Sequence, residues 1–210
     1  MADYDQDFWE RLWLQTLEQR AEVVASRPPS PHLIEQVQGL AAGSALDAGC
    51  GHGAEALWLA SKGWRVTAVD FSAAALAHAQ RMADAAGPQL AERLQFMQAD
   101  LALWAPPAAQ YDLVISLYVH VVGSVQEMVR RLGSAVASDG RLLLVGHLPV
   151  DPETGAPTAA AGQVQVSVEL ALAALPGDLW EIELARELRR PATGSGVDAV
   201  IHARRRPVRA

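Results

Sequence analysis

Between Ser44 and His147 short apolar runs alternate with helical ones, and that alternation leaves few folds open. SALDAG (44–49) reads as a strand ending in a glycine loop, and AEALWLASKG (54–63) as a helix stopping at Gly63. WRVTAVD (64–70) is a β-branched strand ending at Asp70, and Ser72 is placed to cap a helix over SAAALAHAQRMADAA, which Gly87-Pro88 ends. LQFMQAD (94–100) is a third strand and YDLVISLYV (111–119) a fourth. VQEMVRRLGSAVA (125–137) is a helix, and Asp139-Gly140 turns into a fifth strand, RLLLVGH (141–147). Strands separated by helices of this length build a parallel sheet from βαβ units. The expected fold is α/β, a doubly wound sheet between two helical layers.

The flanks break this beat. QDFWERLWLQTLEQRAEVVA (6–25) has helical spacing of Phe8, Leu12 and Leu17 beside Trp9, Trp13 and Leu14, and RPPSP (27–31) separates it from a short helix, PHLIEQVQGL, expected to stop at Gly43. After the fifth strand, PVDPETGAPTAAAGQ (149–163) is a long loop of the kind that serves as a lid or binding loop. A helix over VSVELALAAL follows, then DLWEIELARELRR as an edge strand and GVDAVIHARRR as a last strand. The short RPATGS between these two allows only an antiparallel hairpin, since a parallel crossover needs a dozen residues or so. The mostly parallel sheet therefore ends with a reversed strand. One domain over 1–210 is expected, with a helical cap (1–40), a ligand-binding core (41–147), and a lid loop, helix and strand pair (148–210).

With 210 residues the chain can bury one full core but not two. Its net charge of -7 argues against a nucleic-acid partner, whose binding face is usually basic. The one basic cluster, Arg204 to Arg209, reads as a solvated terminus. No basic n-region precedes an apolar run, and no stretch approaches the ~18 apolar residues of a membrane span, so a soluble cytoplasmic protein with no membrane partner is expected. One cysteine, Cys50, and six scattered histidines offer neither an internal disulfide nor zinc-ligand spacing, so no metal is expected.

Gly49, Gly51 and Ala54 satisfy the dinucleotide pattern G-x-G-x-x-A between a strand and a helix. Asp47, two residues before the first glycine, conflicts with that ligand, because a carboxylate beside a diphosphate costs on the order of 1 to 4 kcal/mol. Asp47, Asp70 and Asp100 stand at or near three successive strand ends, the edge where open α/β sheets bind ligands. Asp70 lies about 20 residues past Gly49, the spacing of an acid that accepts from ribose hydroxyls. A nucleoside carrying positive charge satisfies both signals, and S-adenosylmethionine, with its ammonium and sulfonium, is such a ligand. Asp100 is then placed to meet the exocyclic amine of the adenine.

LDAGCGHG, VTAVDFS, MQADL, YDLVIS and LLLVGH, in that order over residues 41–147, resemble the class I S-adenosylmethionine-dependent methyltransferases. The resemblance implies their Rossmann-like sandwich and cofactor. It matches Asp47, Gly49, Cys50 and Gly51 to the loop holding the methionine end, and Asp70 and Phe71 to the ribose acid and the neighbour packing on adenine. Asp100 and Leu101 match the adenine-recognition pair, and Ser116 the end of the fourth strand. The opening FWE…RPPSPHL and the VGHLPVD ending are similar to bacterial small-molecule enzymes of the thiopurine and tellurite-resistance kind. SLYVHV stands where base- and glutamine-methylating relatives carry N-P-P-Y, and the acidic metal set of the catechol-methylating branch is missing.

Methyl transfer is an in-line displacement to a small-molecule acceptor, in which positioning supplies up to ~7 to 11 kcal/mol. A thiolate, selenide or telluride needs no general base, whereas a phenol or amine calls for one, usually histidine. His120 and His147, at strand ends on the ligand edge, are the catalytic candidates. Trp9 and Trp13 either cover the cavity or pack the first helix. Cys50 reads as a small side chain tolerated in the loop, His52 as an exposed loop residue or helix-start contact, and His32 as loop surface. Two rivals remain: a nicotinamide-dependent oxidoreductase, disfavoured by Asp47 and by a single lysine, Lys62, in the whole chain, and a non-catalytic S-adenosylmethionine-binding module.

Overall fold

The computed structural model describes residues 5–158, 161–162, 164–189 and 196–207. Helix α1 (Gln6–Ala25) starts at Asp5, whose side chain accepts from the Phe8 N–H, and bends at Arg20, where φ is -146°. Helix α2 (Pro31–Val37) follows the proline break. It ends six residues short of Gly43, because Gln38 turns out of helical geometry and Gly39 takes φ +88°.

The alternating core folds as its pattern dictates: β1 (Ser44–Ala48), α3 (Ala54–Ser61), β2 (Arg65–Asp70), α4 (Ala73–Ala86), the one-turn α5 (Pro88–Ala91), β3 (Leu94–Gln98), β4 (Tyr111–Leu117), α6 (Val125–Ala135) and β5 (Val136–His147). Ser72 and Ser124 cap α4 and α6 through their hydroxyls, at 3.1 and 3.2 Å. Strand β5 starts five residues before Arg141. The Asp139-Gly140 pair is not a turn but a distortion inside the strand, with Asp139 at φ +70° and the β4–β5 register shifting between Tyr111 and Leu113.

The chain closes with α7 (Val168–Ala174), β6 (Trp180–Arg189) and β7 (Val197–Arg205). Seven strands lie in the order β3-β2-β1-β4-β5-β7-β6, and the first five run parallel. Strand β7 is antiparallel to both β5 and β6, which leaves β6 at the edge, as its sequence position required. The turn joining β6 and β7 (190–195) lies outside the described residues. One apolar layer packs α6 and α7 against Val114, Leu142, Leu144 and Ile201, and the other packs α2 and α3 against Ala45, Leu113, Ile115 and Leu143. Arg204 to Arg206 are not a loose tail: Arg204 binds Asp139, Arg205 reaches the Ser134 carbonyl, and Arg206 that of Gly177. Among the described residues, no helix is long and apolar enough to cross a membrane.

Candidate active site

Parallel strands that end together leave a crevice at their carboxyl edge, and here it becomes a cavity of about 250 Å³. Its floor is the loop after β1. Gly49 has φ +89°, and a Cβ there would come within 2.2 Å of the Val119 side chain. Gly51 has φ +50°, and its Cβ would stand 3.0 Å from Trp13. Only bare backbone fits under that roof. The Gly49 and Cys50 N–H groups both donate to the Val69 carbonyl, at 2.7 and 3.0 Å, which folds the loop back over β2.

Asp70 fixes the other side of the loop. Its Oδ2 accepts from the Gly51 N–H at 2.8 Å and its Oδ1 from the Ser72 N–H at 2.9 Å. Asp100 lies two residues beyond β3, and its Oδ1 accepts from the Ala102 N–H at 2.8 Å. Asp47, Gly49, Cys50, Gly51, Asp70, Phe71, Asp100 and Leu101 all line the cavity. Ser116 does not appear in that wall; it is buried inside β4, and its Oγ finds no partner among the described residues.

Asp47 is the electrostatic anomaly. It is 2% exposed, and its Oδ2 has no hydrogen-bond partner among the described residues. Burial raises its carboxyl well above the usual carboxylate range, with Glu55 and Asp70 adding repulsion. Glu55, whose Oε1 accepts from the Ser30 N–H at 3.0 Å, is also raised by burial, and so is Asp70. Burial pushes the Cys50 thiol up as well, which makes it unreactive. His52 is no surface residue. It lines the cavity beside Trp13, and burial, Arg27 and His78 pull its ring down to about 4.

The roof comes from α1. Trp9 and Trp13 line the cavity, so these rings do cover it. Two contacts dock the helix: Gln6 Nε2 donates to the Phe71 carbonyl at 3.1 Å, and Glu10 accepts from the Ala74 N–H at 3.1 Å, at the start of α4.

The two candidate histidines separate. His120 lies in the cavity wall, its ring 5.1 Å from that of Trp9. His147 stands behind the wall, stacked on Tyr118 at 4.1 Å and donating from Nδ1 to Asp198 Oδ1 at 2.9 Å. Asp198, fully buried on β7, also accepts from Tyr118 Oη at 3.1 Å and from His32 Nε2 at 3.3 Å. His32 is thus a buried partner rather than loop surface, because α2 turns it onto the sheet. Tyr118 lines the cavity with φ +60°, a backbone region that non-glycine residues seldom occupy. Gln165 links the two histidines, its Oε1 accepting from the His147 N–H at 2.8 Å and its Nε2 lying 2.7 Å from His120 Nε2. Sequence reading passed over Tyr118, Gln165 and Asp198; an acid inside the apolar run VDAVIH was the one available signal. Among the described residues no cluster of three or more His, Cys, Asp or Glu could hold a metal ion.

Residues 45–140 match the family model described as a methyltransferase domain. A trans-aconitate 2-methyltransferase of Paracidovorax citrulli (strain AAC00-1) is 35% identical over 136 residues, 63% of this chain and 49% of that protein. The chain therefore spans about half the length of this curated relative. Among solved structures, geranyl diphosphate C-methyltransferase from Streptomyces coelicolor A3(2) has a TM-score of 0.70 at 14% identity, covering 97% of this chain and 99% of its own. The cyclase SpnF has a TM-score of 0.72 at 15% identity, covering 95% and 97%. At such identities the likeness is one of fold. Residues 45–140 are thus similar to methyltransferase domains, in a chain whose α/β fold the solved methyltransferase structures share.

Proposed function

We propose that the protein binds S-adenosylmethionine in this cavity and transfers its methyl group to a small molecule. The observation that carries this reading is Asp47: a buried carboxylate with an unpartnered oxygen, next to two further buried acids, demands a cation. The residues fit the cofactor. Asp47 and the Gly49–Cys50–Gly51 loop would hold its cationic methionine end, Asp70 and Phe71 its ribose and adenine face, and Asp100 and Leu101 its adenine edge. Bound there, the cofactor supplies an electrophilic methyl on a sulfonium. A carboxylate near a unit positive charge gains about 4 kcal/mol at 4 Å when partly screened, and the same carboxylate opposes a diphosphate. The oxidoreductase reading fails on this point.

His120 faces the acceptor, while His147 acts behind the wall through Asp198 and Tyr118. Of the 1–40 segment, the described residues 5–40 form a cap over a core of 41–147. The acceptor is small and poorly charged, in keeping with the thiopurine and tellurite-resistance resemblance. Leu117, Val119 and Val121 join the two tryptophans in an apolar lining, and Arg27 is the one Lys or Arg among the described lining residues. A tricarboxylate such as trans-aconitate would meet four carboxylates and a single arginine.

Calorimetry decides the cofactor. S-adenosylhomocysteine is expected to bind and NADH not to, with Asp47→Asn weakening S-adenosylmethionine at least roughly tenfold, the equivalent of about 1.4 kcal/mol. NADH binding without S-adenosylhomocysteine binding would overturn the reading. A cyclase shares this fold, so turnover must be measured as well, over thiols, phenols, amines and oxyanions of selenium and tellurium. Cofactor binding with no methyl transfer to any of them would leave the binding-module reading in its place.

A further inference from the structure

We infer that Gln165 is a positioning residue that locks His120 as its Nδ1–H tautomer, so that this ring cannot take a proton from the methyl acceptor. The deduction begins with a group whose role is fixed. The His147 backbone N–H can only donate, and Gln165 Oε1 receives it at 2.8 Å. The oxygen of that amide is thereby assigned, and the group 2.7 Å from His120 Nε2 is its NH₂. An NH₂ also can only donate, so His120 Nε2 must be the acceptor and carry no proton. The proton of the neutral ring then sits on Nδ1. Turning the amide over would set NH₂ against the His147 N–H, donor against donor. Protonating the ring would set Nε2–H against the amide N–H, which opposes the charged form.

Gln165 is 6% exposed, on the segment leading into α7, and water competes little for either bond. Arg27 also opposes a second positive charge in this cavity, whereas Asp47, Glu55, Asp70 and Asp100 favour one; the amide contact acts directly on Nε2. With Nε2 occupied and Nδ1 protonated, neutral His120 has no lone pair left for an incoming proton.

The consequence for the substrate rests on the methyl-transfer reading above. Methylating an anionic atom gives a neutral product and releases no proton. Methylating a neutral N–H or O–H leaves a cation whose proton needs a base. The acceptor class is therefore one that reacts through an anion or a proton-free lone pair: a thiolate, a selenide or telluride, or an aromatic ring nitrogen.

Two-bond ¹H–¹⁵N correlation spectra of the ¹⁵N-labelled full chain at pH 7.5, without cofactor or acceptor, read the tautomer directly. The His120 signal is identified by its loss in His120→Asn. The expected pattern is Nδ1–H with a bare Nε2. Gln165→Glu, which offers a carboxylate instead of an NH₂, is expected to switch the ring to Nε2–H or to the cation, and Gln165→Leu to give a mixture. An Nε2–H signal in the unaltered protein, or spectra that Gln165→Glu leaves unchanged, overturns the assignment. Turnover tests the acceptor half: kcat/KM for thiolates is expected to exceed that for phenols and amines by roughly 100-fold, and Gln165→Glu to narrow the gap. Phenol turnover that falls tenfold or more in His120→Asn would overturn that half. Failure of every acceptor would sink the methyl-transfer reading and the acceptor class together, while the spectrum decides the tautomer by itself.

Discussion

At the scale of single residues, Asp47 sets function against stability. Its carboxyl is raised by burial in the folded chain, whereas in the unfolded chain it titrates near its ordinary value of about 3.9. The folded state then holds the proton more tightly, so this group's stabilising contribution is complete below pH ~4 and is lost as pH climbs through the raised value. Asp70 and Glu55 shift in the same direction and add to the effect. Asp47→Asn is therefore expected to stabilise the ligand-free protein at pH 7.5, by about 1 to 3 kcal/mol, and to flatten the decline in stability as pH rises from about 4 to 7.5. Urea midpoints across that range check both, and a variant no more stable than its parent would contradict this account of the buried charge. If Asp47 holds the cofactor as proposed, the same substitution is expected to weaken cofactor binding, because the strain it relieves is the one the ligand relieves.

Among the elements, α1 is the least secured. Val24 is its one fully buried residue, Leu12, Leu14 and Val23 are exposed, and Gln6 and Glu10 tie it to the β2–α4 junction. Few buried contacts mean a low local opening free energy. Amides of α1 are expected to exchange hydrogen faster than those of β4 and β5, and to slow by tenfold or more with S-adenosylhomocysteine bound. Glu10→Ala should speed α1 exchange without altering that of β5; equal protection of α1 and the central strands would refute this. Sequence disclosed α1 and α4 to the residue, α1 through its apolar periodicity and α4 through the capping Ser72 and the Gly87-Pro88 stop. It misplaced the end of α2, where Gly39 stops the helix before Gly43 is reached. It also misjudged the start of β5, because Asp139-Gly140, normally a turn signal, is here an irregularity between two ladder pairs to β4, Val136 with Tyr111 and Arg141 with Leu113, and Arg204 binds the Asp139 carboxylate. Strand β1 and its glycine loop, where local chemistry and tertiary role coincide, were legible down to the lining residues.

Over the whole molecule, Asp198 joins parts of the chain that no local pattern connects. Its partners His147, Tyr118 and His32 lie 51, 80 and 166 residues away, beyond the reach of any sequence window. Removing the carboxylate leaves the buried His32 of α2 and the partly buried Tyr118 and His147, at the ends of β4 and β5, without their shared acceptor. Asp198→Ala is expected to cost about 3 kcal/mol, which for a chain of this size lowers the melting temperature by roughly 6 to 12 °C. Scanning calorimetry measures it, and a change below about 2 °C would show that the carboxylate holds nothing together. Strand β7, which carries Asp198, sits between β5 and β6 although it follows both in the chain. During synthesis, then, the ribosome delivers the keystone after the arch: β5 keeps a bare hydrogen-bonding margin, inviting neighbouring chains, until residues 197–205 emerge to fill it.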